Sequence, residues 1–82
     1  MKKKVPYREL RSLLLELGFR EFVQPDWIAC YHKATDTLFV FQRYRLNSPV
    51  KAYNMHDVKM MLDARGLMSE DAFENQFAKT PA

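Results

Sequence analysis

The sequence has one cysteine, two glycines and no low-complexity tract among its 82 residues. A lone Cys30 excludes an intramolecular disulfide and a cysteine-rich zinc site. It fits a reducing, cytoplasmic compartment in which the thiol is a small core residue. The scarcity of glycine, beside 48% hydrophobic and 13% aromatic residues, argues against disorder and for one compact domain. A domain this short buries only ~60% of its unfolded surface, so each large apolar side chain needs a place.

A strong excess of one charge is also missing. The formal net charge is +3, but Lys2, Lys3 and Lys4 supply three of the thirteen basic residues and leave ten against ten acidic ones. Outside this tail at residues 1–4 the chain is neutral, which counts against a protein that holds nucleic acid mainly through phosphates and leaves room only for a local patch. Arg8, Glu9, Arg11 and Glu16 interrupt the only apolar stretch that follows the tail, so neither a secretory signal nor a membrane span is expected. Two histidines without acidic ligand spacing predict no metal site, and nothing in the sequence calls for a cofactor.

What is present reads as α-β-β-β-α with an extra C-terminal helix, an α+β fold around a three-stranded antiparallel sheet. Leu10, Leu13, Leu14 and Leu17 keep the spacing of one helix face between Pro6, which suits a first turn, and Gly18, which suits a helix exit. Phe19 to Val23, Trp27 to His32 and Leu38 to Tyr44 are rich in aromatic and β-branched residues and read as strands separated by short turns. Alternation sends Ile28, Cys30, Leu38 and Val40 toward one face and Trp27, Ala29, Tyr31, Phe39, Phe41 and Arg43 toward the other. After a loop through Asn47, Ser48 and Pro49, Asn54 is expected to cap a helix carrying Met55, Val58, Met61 and Leu62, closed by Gly66. Ser69 is expected to cap a third helix bearing Phe73 and Phe77.

Three segments together resemble the HicA-like toxin family: Tyr7 to Phe19 with its Gly-Phe exit, Trp27 to Phe41, and Val58 to Leu67 ending Leu-Asp-Ala-Arg-Gly-Leu. The resemblance covers residues 5–67 and leaves 68–82 as a helical extension. It implies a fold similar to a double-stranded RNA-binding domain and the activity of a small ribonuclease that cuts messenger RNA and is silenced by a HicB-like antitoxin. The family's catalytic histidine belongs to a Gly-Ser-His motif at the start of the second strand. In this sequence that motif reads Pro25-Asp26-Trp27. An indole exchanges no proton near neutral pH, so Trp27 cannot serve as general acid or base. His32 lies five residues along the strand and hence on the opposite face, where a strand-end histidine satisfied by the following turn is the simpler reading. His56, near a positive helix end, is expected to be exposed and without a role.

No catalytic residue is therefore assigned. The candidate contact residues are Trp27, Tyr31, Phe39 and Phe41 as an aromatic sheet face, with Arg43, Arg45 and Lys51 beside it for phosphates. A face this aromatic is expected to be covered by the third helix or by a second copy of the chain, base stacking being the alternative. The resulting expectation is a HicA-like domain that has lost catalysis and acts as an RNA-binding or protein-interaction module. The alternatives are an interferase using a non-standard residue and a structural homodimer without a nucleic-acid partner.

Overall fold

Pro6 and Gly18 bracket the first helix, as the spacing predicts. In the computed structural model, which describes residues 4–78, helix α1 spans Tyr7–Glu16 and Gly18 leaves it at φ 101°, a conformation that a side chain strains. A Cβ at Gly18 would also stand 3.3 Å from His32 Nε2. Pro6 provides no side-chain cap; the N–H groups of Tyr7 and Arg8 donate instead to the carbonyls of Ser48 at 2.8 Å and Leu46 at 2.9 Å. Val50 N–H donates to the Val5 carbonyl at 2.8 Å. The start of α1 is thus tied to the loop that follows the sheet.

Strands β1 (Arg20–Val23), β2 (Trp27–His32) and β3 (Thr37–Gln42) form an antiparallel sheet in the order β1-β2-β3. Helix α2 (Ala52–Ala64) and helix α3 (Glu70–Ala78) complete the α+β order expected from the sequence. Gly66 follows α2 at φ 71°, and Ser69 Oγ accepts the Ala72 N–H at 3.1 Å at the start of α3. Lys2 and Lys3 of the basic tail and residues 79–82 of the extension lie outside the described residues. Among the described residues, no helix is long and apolar enough to cross a membrane.

The phase of β3 departs from the expectation. The register opposes Ile28 to Phe41, Cys30 to Phe39 and His32 to Thr37, so the two phenylalanines share a face with Ile28 and Cys30. Leu38 and Val40 lie on the other face with Trp27, Ala29 and Tyr31, next to Phe22, which opposes Ala29 from β1. The four residues Lys33 to Asp36 between the strands, with Asp36 at φ 52°, set this register. Because β3 is apolar on both faces, its alternation alone could not say which face turns inward. The larger side chains go inside.

Phe39 stacks between Phe19 and Phe41, at 5.3 and 6.0 Å between ring centroids, and joins Leu10, Leu14, Ile28, Val58 and Leu62 in one core. Full burial of each such side chain contributes about 1.5–3 kcal/mol. Helices α1 and α2 pack on this face, against β1 and β3 respectively. Asn54 corrects a second expectation: α2 starts earlier, at Ala52, and Asn54 sits buried inside its first turn. Its Nδ2 donates to Gln42 Oε1 and Tyr44 Oη, both at 2.6 Å, which satisfies a polar group taken out of water. A third correction concerns α3, which packs on α2 and not on the sheet's second face. Phe73 and Phe77 are buried in the same core, 4.9 Å apart and edge to face, and Lys59 on α2 pairs with Glu74 on α3 at 2.7 Å.

Candidate functional site

The residues singled out in the sequence fall in four places. Phe39 and Phe41 are core residues, 6% and 3% exposed, and are lost to any contact surface. Trp27 and Tyr31 stay on the second face of the sheet. Arg43 and Arg45 follow β3 and line a cleft at the sheet's end, and Lys51 is exposed just before α2, its N–H donating to Tyr44 Oη at 2.9 Å.

The second face carries an apolar patch. Phe22, Ala29 and Val40 form one cross-strand row, Arg20, Tyr31 and Leu38 the next, and Trp27 opposes Gln42 at the end. Phe22 and Trp27 are each 43% exposed, Leu38 55% and Val40 58%. Around them the polar groups are already engaged. Tyr31 Oη donates to Asp36 Oδ1 at 2.8 Å, Gln42 Nε2 donates to Tyr53 Oη at 2.8 Å, and the Arg20 guanidinium sits 5.7 Å from the centre of the Phe22 ring. Trp27 opens β2 on this face with no titratable side chain directly across from it. His32 lies on the core side against Phe19, its Nδ1 2.8 Å from Thr35 Oγ1, a side-chain partner where a turn carbonyl was the simpler expectation. His56 is exposed on α2. The described residues hold no group of histidine, cysteine and acidic side chains able to bind a metal ion.

A second constellation was not singled out in the sequence. Glu21 opposes Cys30 and therefore faces the core side of the short strand β1, where the same alternation that buries Phe19 could have marked it as an inward carboxylate. It is satisfied there: Tyr7 Oη donates to Glu21 Oε2 at 2.7 Å and Arg11 Nε to Glu21 Oε1 at 2.8 Å. Burial, reinforced by the hydrogen bond to Glu21, pushes the Tyr7 phenol far above its usual range. Burial likewise raises the Cys30 thiol to about 11, so it stays protonated and unreactive near neutral pH. Tyr7 stacks on Tyr44 at 5.5 Å. These residues close one side of a cleft of about 670 Å³ lined by Tyr7, Arg11, Glu21, Arg43, Tyr44 and Arg45.

No protein-family model, curated protein or solved structure matches the chain.

Proposed function

We propose that the chain is a HicA-like domain without ribonuclease catalysis that works as a protein-interaction module, with the open sheet face as its docking surface and a second copy of the chain as the occupant. The observation that carries this reading is the contiguous exposure of Phe22, Trp27, Leu38 and Val40 at 43–58%. At about 150–250 Å² for a large apolar side chain, they leave roughly 400 Å² of apolar surface in water, within the range of functional patches on small monomers. A standard interface buries about 800 Å² per partner, so the patch supplies an apolar centre and the polar residues around it a rim.

The nature of the surface favours protein over RNA. Leu38 and Val40 replace the phenylalanines that base stacking would use, and Arg20 is the basic residue on the strands of this face, lying over Phe22. A near-neutral apolar face can meet its own copy without like-charge repulsion. Trp27 at the family's histidine position supports the absence of proton-transfer catalysis. A reducing, cytoplasmic setting is in keeping with the single buried Cys30.

Light scattering on the intact chain tests the proposal, beside gel shifts with structured and single-stranded RNA. A dimer with no RNA complex is expected. A monomer that shifts RNA, and weakens with salt as phosphate contacts must, would return the RNA-binding reading. A monomer that associates only with a HicB-like antitoxin would replace the second copy with that partner.

A further inference from the structure

We infer that the cleft at the end of the sheet is a binding site for a small phosphate monoester, seated on Arg43, Arg45 and Arg11. This is separate from the apolar face and does not depend on it. The cleft lies beside α1 and the loop that follows β3, and that loop is fixed at several points. Leu46 and Ser48 accept the first N–H groups of α1, while the Tyr44 hydroxyl accepts from Lys51 N–H and Asn54 Nδ2. Arg43 and Arg45 flank the anchored Tyr44 and line the same cleft. Their positions are preorganised by the backbone even though the side chains are exposed.

The charge of the cleft selects the ligand. Arg43 and Arg45 take part in no ion pair among the described residues. Arg11 gives Nε–H to Glu21, which leaves its terminal N–H groups for a further acceptor. Three guanidinium groups against one carboxylate give the lining a formal charge of +2. A phosphate monoester, at about −1.5 to −2 and with three acceptor oxygens, neutralises that charge, whereas a carboxylate leaves half of it unmet. Planar guanidinium forks also match phosphate oxygens in pairs. Of the other walls, Val23 and Leu46 are exposed and offer aliphatic surface to the organic part of the ester. The open cleft, of about 670 Å³, is large enough to admit a small ester.

The test is a two-dimensional amide NMR titration of the intact chain with inorganic phosphate, phenyl phosphate and benzoate at fixed ionic strength. Phenyl phosphate is expected to shift the amides around Arg43 to Leu46 saturably. It should bind more tightly than inorganic phosphate, and roughly tenfold or more tighter than singly charged benzoate. An Arg43→Ala, Arg45→Ala double variant, altered only at exposed positions, should keep the rest of its spectrum and lose at least about tenfold in affinity. Absence of saturable shifts, equal binding of benzoate, or full affinity in the double variant would overturn the assignment. Competition by single-stranded RNA at higher affinity per phosphate would also overturn it, making a phosphodiester backbone the ligand.

Discussion

Ala29 and Val40 oppose each other across β2 and β3 on the open face of the sheet, yet the alanine is 7% exposed and the valine 58%. Ala29 is covered because Phe22 flanks it from β1 and Val40 from β3. The larger neighbours thereby form a raised apolar ridge that stands in solvent. The same register that raises this ridge sends Phe39 and Phe41 into the core.

Phe39→Ala should cost about 3–5 kcal/mol, as truncation of a buried aromatic does, while Leu38→Ala one position away should leave the single chain within about 0.5 kcal/mol at concentrations too low for association. Urea denaturation of both variants measures the contrast. Equal costs would reject the phase of β3.

The contrast also marks what could be read in advance. Helix α1, its Gly18 exit, Gly66 after α2 and Ser69 before α3 follow from leucine spacing and from local backbone requirements, which neighbours in sequence decide. The phase of β3 depends on how a four-residue turn aligns two strands, and Leu38-Phe-Val-Phe41 offers apolar groups to both sides. The site was less legible for the same reason. Two of four predicted face aromatics are core residues, and Glu21, Tyr7 and Arg11 converge only once α1 lies against β1. Asn54 resembles a helix cap in sequence, but its amide is needed by Gln42 and Tyr44.

Tyr7→Phe should destabilise the domain by about 1.5–3 kcal/mol, the usual cost of losing a hydrogen bond to a charged group. The ring and its stacking on Tyr44 are kept, so the loss reads the hydroxyl's bond to Glu21 together with its weaker contact with Cys30 Sγ. Chemical denaturation reads it directly, and an unchanged stability would show that water replaces the hydroxyl.

Alkaline pH should weaken the fold earlier than carboxylate or lysine chemistry would suggest. Cys30 is raised from 9.0 to about 11 in the folded chain, and Tyr7 is raised above 10.0. In both cases the native state holds its proton longer than the unfolded state. Their contribution is complete below pH 9.0 and is progressively lost through about 11 for Cys30 and higher for Tyr7. Stability measured at steps across that range should fall, and the fall should shrink in Cys30→Ala. In keeping with this, Cys30 should resist thiol reagents at neutral pH until the chain is unfolded.

On the proposed HicA-like reading the purified chain should not cleave RNA, because Trp27 then stands where that family keeps its proton-transfer histidine. Incubation with messenger RNA, followed by gel analysis, checks this. Cleavage abolished by His32→Ala would contradict it and turn attention to the core side of β2.

Sedimentation equilibrium of the intact protein beside Val40→Asp reads whether the open face joins two copies of the chain, as proposed. Val40 is exposed at the middle of the patch, so a carboxylate there leaves the core untouched and places a charge at the proposed contact. A dimer is expected for the unaltered chain, with an unfolding temperature that rises with concentration, and for the variant a folded monomer whose lower unfolding temperature does not depend on concentration. A monomeric unaltered chain, or a variant that dimerises equally well, contradicts it.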